Sequence, residues 1–144
     1  MTMDDPFQLQ RFVDAQELVF PTALAELRAG RKQTHWIWFI FPQLRALGRS
    51  PTANFYGIAS LEEARAYLDH PLLAGRLAQA TDAVLSHRSR SAHDIFGSPD
   101  DLKFRSSMTM FHEASDREAP HFQAALNRYF KGEPDERTLT LLRH

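Results

Sequence analysis

The stretch Leu9–Gly30, LQRFVDAQELVFPTALAELRAG, has the spacing of a long amphipathic helix. Its apolar residues recur at steps of three and four positions, which puts them on one face of a helix with 3.6 residues per turn. Asp5 and Pro6 are typical of a helix start, and Gly30 is typical of a helix end. Pro21 has no amide that could bond back four residues. The stretch therefore predicts a helix that is kinked or broken at this proline.

Capping signals farther along the chain predict more helices. Ser60, Ser98 and Ser115 are each followed three positions later by an acidic residue, which is the pattern of a capping box. Prolines at Pro99 and Pro120 fall in the first turn of the helices expected there, where a missing amide costs little. Apart from one short apolar run, no segment alternates with period two as a half-buried strand does. These signals favour helices throughout the chain.

Residues 34–43, THWIWFIFPQ, contain that apolar run and are ambiguous. The run fits a short helix that is capped by Thr34 and ended by Pro42, and it also fits a buried strand. A lone strand would leave its backbone groups without partners, so the helix is favoured. We therefore expect a short helix over His35–Phe41.

Length and composition fit one globular domain over residues 1–144. The chain has 43% hydrophobic and 24% charged residues, which are ordinary values for a folded protein, and its length suffices for one core. Together with the helix signals they predict an all-α fold, a compact single-domain bundle of about six to eight helices. The core residues expected from the apolar stripes are Phe12, Leu24, Leu77, Phe104, Met108, Phe122 and Leu126.

The charge of the chain argues against some partners. Its formal net charge is −1 at pH 7, so it has no overall positive field and nucleic-acid binding is not expected. A local basic stretch over Arg28–Arg49 could still face anions. The apolar run at 36–41 is too short to span a membrane, which takes about 20 residues, and no membrane association is expected. With no cysteine and no signal-peptide pattern at the N-terminus, we expect a cytoplasmic protein.

Motifs for cofactors and metals are missing from the sequence. It has no glycine-rich phosphate loop, no His-Glu-x-x-His helix and no nucleophile elbow. The histidines lack ligand spacing on a common helix face, and there are no cysteine thiolates. We therefore expect no metal and no cofactor. The oligomeric state is left open.

The only two tryptophans lie beside a histidine. Trp36 and Trp38 would be about 200° apart around a helix, so both cannot point into one core. One of them is expected to line a groove, next to which His35 could act as an acid, a base or a hydrogen-bond donor. Gln43 follows the proline turn and adds an amide group. The alternative, a core helix with a structural histidine, stays open.

A second polar cluster lies in the segment Asp100–Thr109. With Phe104 facing the core, the flank of the predicted helix carries Lys103, Ser106 and Ser107. These three side chains could present an ammonium group and two hydroxyls to one anion. The alternative is a solvated helix face with no ligand. We predict that this turn and the histidine and tryptophan segment face one another and form a single site.

Six strings in the sequence carry a family resemblance. They are DPFQLQRF at 5–12, HWIWFIFPQ at 35–43, LG at 47–48, HPLL at 70–73, IFG at 95–97 and KFRSSMT at 103–109. They resemble the bacterial family known as domain of unknown function 1810, over nearly the whole chain. The resemblance implies a compact helical domain without an established activity. Such proteins are often labelled calpastatin in genomes, but nothing here resembles a disordered inhibitor repeat. The positions that match the recurring strings are His35, Trp36, Trp38, Pro42, Gln43, Lys103, Ser106 and Ser107.

Two functions from different classes fit these residues. The first is binding of, or catalysis on, a small planar anionic metabolite such as a nucleotide or nucleotide sugar. Trp36 or Trp38 would stack on its ring, and Lys103 would contact its anion. His35 and Lys103 are the candidate catalytic residues. Further ligand-binding hydrogen bonds would come from Gln43, Ser106 and Ser107. The second function is a protein-interaction module whose helical groove, edged by tryptophan, takes a partner segment. Whether the protein is an enzyme is left open.

Overall fold

Nine α-helices lie in the part of the chain that the computed structural model describes, residues 5–116 and 118–143. They are α1 (Gln10–Ala29), α2 (Ile37–Ile40), α3 (Pro51–Phe55), α4 (Leu61–Asp69), α5 (Pro71–Leu85), α6 (Ala92–Phe96), α7 (Asp100–Ala114), α8 (Pro120–Phe130) and α9 (Glu136–Leu142). The one β-type pairing in these residues is a parallel bridge between Leu44 and Ile58. The all-α prediction is confirmed. The helices slightly outnumber the expected six to eight because α2, α3 and α6 are short.

Helix α7 lies at the centre of the bundle. It packs against α2, α4, α6, α8 and α9, while α1 packs mainly against α5. The ring of Phe104, which is fully buried on α7, lies 4.9 Å from the ring of Phe41 and 4.6 Å from that of Phe96. Of the seven expected core residues only Leu24 is not fully buried. The other six are buried as predicted: Phe12, Leu77, Phe104, Met108, Phe122 and Leu126.

Helix α1 runs unbroken through Pro21, so the break predicted there is wrong. The proline lies on the exposed side of the helix, where water can bond to the carbonyl left free by its missing amide. The start also differs, because α1 begins at Gln10 and not at Pro6. Asp5 nevertheless caps it, since its carboxylate accepts bonds from the Leu9 and Gln10 amides at 2.8 and 3.0 Å. Gly30 ends the helix with φ 80° as expected.

Of the three predicted capping boxes, the one at Ser60 forms its serine cap but not the return bond from Glu63, which goes to the Ala59 amide, and the other two are wrong. The Ser60 hydroxyl accepts a bond from the third amide of α4 at 3.1 Å. Ser98 does not cap α7, because that helix begins two residues later. Ser115 belongs to the end of α7, where its hydroxyl donates to a carbonyl of the last turn at 2.8 Å. Helix α8 then begins at Pro120 without a side-chain cap. A serine near a helix boundary bonds to whichever backbone group it can reach.

A buried ion pair ties the start of α1 to α4. The Arg11 guanidinium and the Glu63 carboxylate are 2.7 Å apart, and their side chains are 7% and 2% exposed. Arg11 also donates to the carbonyls of Phe55 and Gly57, at 2.8 and 3.0 Å. The second oxygen of Glu63 accepts a bond from the Ala59 amide at 2.9 Å. This pair therefore fixes the loop that joins α3 to α4 against the first turn of α1.

Candidate functional site

A pocket of about 210 Å³ lies between residues 32–40, which comprise the loop before α2 and α2 itself and are called the α2 segment, and the first turn of α7. It is lined by Lys32, His35, Trp36, Ile37, Trp38, Phe39, Thr52, Asp100 and Lys103. Four of the seven residues expected at a site, His35, Trp36, Trp38 and Lys103, are therefore brought together. The histidine is exposed, in a loop before α2.

Two lysines share one carboxylate in this pocket. The Lys32 ammonium lies 2.8 Å from one oxygen of Asp100, and the Lys103 ammonium lies 3.1 Å from the other. Each ammonium also lies over a tryptophan ring, Lys32 at 5.1 Å from Trp36 and Lys103 at 4.4 Å from Trp38. Such cation–π contacts hold an ammonium group against an aromatic wall. The pocket wall thus carries two positive charges and one negative charge.

The charge of Asp100 is stabilised by its two partners. Burial alone would raise the pKa of this carboxyl, but the hydrogen bonds and charges of Lys32 and Lys103 outweigh it and hold the pKa below its usual range. Asp100 is therefore ionised at neutral pH, and the trio keeps an excess of one positive charge. An anion is attracted to such a site, and a cation is repelled.

The two tryptophans occupy different environments. Trp36 is 2% exposed and packs against the core ring of Phe41, with 6.4 Å between the ring centroids. Trp38 is half-buried in the pocket wall. Its Nε1 is buried and finds no hydrogen-bond partner among the described residues, which is a costly state for a polar group.

The side chain of Glu26, on the buried face of α1, fixes the loop that carries the pocket. It accepts bonds from the amides of Gln33 and Thr34 at 2.7 and 3.0 Å, and from Trp36 Nε1 at 2.9 Å. The Thr34 hydroxyl also donates to it, at 2.7 Å. The predicted cap by Thr34 is therefore wrong, because Glu26 takes its hydroxyl and α2 begins only at Ile37. The choice of a helix over a strand is correct.

The ionisation of Glu26 depends on these donors. Burial would raise its pKa, but the bonds from the two loop amides and from the Trp36 and Thr34 side chains lower it to about 2. A second buried polar residue of α1, Gln16, donates to the carbonyl of Phe39 at 2.6 Å. Helix α1 thus holds both ends of the α2 segment through side chains on its core face.

Glu26→Gln should reduce the acid dependence of stability. Because the folded-state pKa of Glu26 lies below its ordinary value of 4.5, its contribution is complete above that value and is lost as the pH falls toward about 2. The variant should lack this loss, and at neutral pH its free energy of unfolding should be lower by about 1–3 kcal/mol. Urea unfolding at several pH values measures both effects, with the exposed Glu62→Gln as control. An unchanged acid dependence in Glu26→Gln would contradict the assignment.

The other three expected site residues do not line the pocket. Gln43, Ser106 and Ser107 are buried in the interior. The Ser106 hydroxyl donates to the carbonyl of Leu102 in its own helix at 3.1 Å, and the Ser107 hydroxyl has no partner among the described residues. The helix flank that carries Lys103 therefore turns into the core one turn later.

Four residues of this region were not among the site residues predicted from the sequence. Lys32 and Asp100 complete the charged trio, and Glu26 and Gln16 position the segment. Gln16 and Glu26 did carry a signal, because they fall on the apolar stripe of α1 between the buried positions Phe12 and Leu27. A polar residue on an apolar stripe needs a buried partner. The pairing of Lys32 with Asp100 left no such trace, since 68 positions separate them in the sequence.

Neither a metal site nor a membrane span is found in residues 5–116 and 118–143. These residues hold no group of three or more histidine, cysteine or acidic side chains that could bind a metal ion. None of their helices is both long and apolar enough to cross a bilayer.

Comparison with known proteins defines the family. The model of the family described as protein of unknown function (DUF1810) matches residues 6–142, so the chain belongs to that family. The crystal structure of the conserved hypothetical protein Rv1873 from Mycobacterium tuberculosis is similar, with 54% sequence identity and a TM-score of 0.94. The similarity covers 97% of this chain and 99% of that one. No curated protein matches this sequence.

Proposed function

We propose that the protein binds a small planar anion in the pocket between α2 and α7. The observation that carries this proposal is the trio of Lys32, Asp100 and Lys103, which leaves one excess positive charge beside two tryptophan rings. A ligand with an aromatic ring and a carboxylate or phosphate matches both features.

The size of the pocket limits what can enter it. A cavity of about 150 Å³ is enough for benzene, so about 210 Å³ accommodates one substituted ring and not a whole dinucleotide. A nucleotide would therefore place its base or its phosphate in the pocket and leave the remainder outside. An aromatic carboxylate would fit as a whole.

Lys103 is the cation best placed to contact the ligand. Its side chain is 23% exposed, whereas that of Lys32 is 6% exposed. If Lys103 turns toward an anion, Asp100 still keeps its bond to Lys32, so no buried carboxylate is left unpaired. The half-buried Trp38 offers its ring to the same ligand. His35, exposed among the residues that line the pocket, would act on a bound molecule as an acid, a base or a hydrogen-bond donor.

The interaction-module alternative has less support. It requires a long apolar groove, but the exposed large apolar side chains in the described residues belong to four different helices. They are Leu18 on α1, Phe55 on α3, Leu72 on α5 and Leu102 on α7. A pocket with an excess charge fits a small ligand better than a hydrophobic partner helix.

A thermal-shift screen tests the proposal. The probes are nucleoside monophosphates, nucleotide sugars and aromatic carboxylates, with their neutral analogues as controls. A ligand at about one hundred times its Kd adds about 2.7 kcal/mol to the free energy of unfolding, so it raises the melting temperature. We expect at least one anionic aromatic probe to do so and its neutral analogue to have no effect. A flat response to the whole set would contradict the proposal.

Lys103→Gln should weaken binding with little loss of stability. Hydrogen bonds to charged groups contribute about 1.5–3 kcal/mol, so the Kd for an anionic ligand should rise about tenfold or more. The free energy of unfolding should change by less than about 1 kcal/mol, because the Lys103 pair is partly exposed and Lys32 remains on Asp100. Calorimetric titration measures the Kd. The control is the exposed Arg137→Gln, which removes the same charge at a residue that does not line the pocket. Equal affinity of Lys103→Gln and the wild type would refute this role.

A further inference from the structure

A second positive surface lies where the ends of α1, α5 and α8 meet. It is formed by three short segments, residues 28–31, 86–91 and 128–131, which we call the basic face. These segments hold six of the 17 lysines and arginines of the chain and no aspartate or glutamate. The six are Arg28, Arg31, Arg88, Arg90, Arg128 and Lys131, and all of them are exposed.

Contacts around His87 show that the three segments form one surface. The His87 ring donates through Nε2 to the carbonyl of Leu27 at 2.6 Å. The hydroxyl of Tyr129, on α8, donates to the backbone carbonyl of His87 at 2.9 Å. Gly30 lies directly under the side chain of Arg90, since a β-carbon at Gly30 would come within 2.8 Å of its guanidinium.

Helix capping explains Arg128, but it does not explain the other arginines of this face. Basic residues often bond to the free carbonyls at a helix end, but those carbonyls already have other donors. The carbonyl of Glu26 accepts from the Arg31 amide and that of Leu27 from the Gly30 amide, both at 3.0 Å. The carbonyl of Leu85 accepts from Arg128. The side chains of Arg28, Arg31, Arg88 and Arg90 make no ion pair or hydrogen bond with any described residue.

Asp94, the acid on which the charge of Arg90 acts, already has other partners. Asp94 forms a capping box with Ser91. The hydrogen bonds with Ser91 are the main reason that the pKa of Asp94 is lowered, and the charge of Arg90 contributes less. Four arginines on one surface, none of them hydrogen-bonded to an acid of the described residues, repel one another, which disfavours the folded state. Positive charge is therefore concentrated on this face although the net charge of the whole chain is −1. The basic stretch expected over Arg28–Arg49 does not act as one unit, because Lys32 turns into the pocket to pair with Asp100.

We infer that the basic face binds the phosphate backbone of a double-stranded nucleic acid. Charges spread over three helix ends match a row of phosphates better than one small anion, and the exposed Ser89, between Arg88 and Arg90, adds a hydroxyl donor. Membrane binding is disfavoured because none of the exposed large apolar side chains lies in the three segments. The face also lacks an exposed aromatic residue on which an unpaired base could stack, so a duplex is favoured over a single strand. Such binding reads no sequence and weakens steeply with salt.

Fluorescence anisotropy with a labelled DNA duplex of about 20 base pairs, from about 50 to about 200 mM salt, tests the inference. The slope of log Kobs against log salt is negative, and Arg88→Gln combined with Arg90→Gln should make it less steep by about 1.8, since each phosphate contact contributes about 0.9 to its magnitude. Arg28→Gln combined with Arg31→Gln, at the end of α1, should change the salt slope by the same amount. The inference can therefore be tested even if one of the two double variants fails to fold. The control pair, Arg137→Gln with Arg143→Gln, removes two exposed charges on and beside α9 and should leave the slope unchanged.

Three results would overturn the inference. The first is no binding of the duplex by the wild type at the lowest salt. The second is tighter binding to vesicles of anionic lipid than to the duplex, which would assign the face to a membrane. The third is an equal loss of affinity in the control pair, which would show that only the total charge matters.

Discussion

Trp36→Ala is expected to lower the free energy of unfolding by about 3–5 kcal/mol, as large-to-small changes of buried aromatic residues do. Trp36 is 2% exposed, so its removal leaves a cavity against the core. It also takes away the Nε1 donor of Glu26, whose carboxylate holds the pocket loop. Urea unfolding measures the change. Circular dichroism is the readout because it follows the helices of the whole domain, whereas the fluorescence of Trp38, the remaining tryptophan, follows only its own surroundings.

Two phenylalanine variants test the hydrogen bond between Trp36 and Glu26. Trp36→Phe removes an Nε1 that donates to Glu26 at 2.9 Å, whereas Trp38→Phe removes an Nε1 with no partner among the described residues. The first should therefore cost about 1–3 kcal/mol more than the second. Equal losses in the two variants would mean that the bond to Glu26 contributes nothing to stability.

Arg11→Ala should be the other strongly destabilising change, with an expected loss of about 3–5 kcal/mol. Its partner Glu63 is 2% exposed, so the variant leaves a buried carboxylate without its cation. The carbonyl of Phe55 loses the Arg11 donor at the same time, and that of Gly57 keeps only the longer bond from Arg45 at 3.4 Å. Chemical denaturation measures the loss. Arg11→Met combined with Glu63→Gln should recover part of it, because the buried charge is then removed as well.

An exposed ion pair provides the control for Arg11. Arg65 and Asp116 are 3.2 Å apart, but their side chains are 44% and 73% exposed. Arg65→Ala should therefore change the free energy of unfolding by about 1 kcal/mol or less. If Arg65→Ala and Arg11→Ala lowered stability equally, burial would not be the reason for the importance of Arg11.

The fold class could be predicted from the sequence because it depends on local signals. The apolar spacing of α1 and the capping serine at Ser60 each act within a few residues, and the structure agrees with them. Signals that several backbone groups can satisfy were less reliable. Ser115 fits a helix start as well as a helix end, and only the packing of α7 and α8 decides between them.

The candidate site could be predicted only in part, for the same reason. The composition of two strings pointed to His35, Trp36, Trp38 and Lys103, which the fold brings to one pocket. The charges that define the pocket come from Lys32 and Asp100, which form a pair only through the tertiary structure. The burial of Ser106 and Ser107 was also not predicted. Several helices enclose α7, so that it has no fully exposed flank at that turn.

Side-chain NMR of the lysines tests the central claim most directly. The chain has only three lysines, Lys32, Lys103 and Lys131, so protein labelled with 13C at lysine Cε gives three signals that single glutamine variants assign. The titrant is the anionic aromatic probe with the largest thermal shift. We predict that it shifts the signals of Lys103 and Lys32 in proportion to saturation and leaves that of Lys131 unchanged. A titration that moves Lys131 alone, or none of the three at saturation, would contradict binding between α2 and α7.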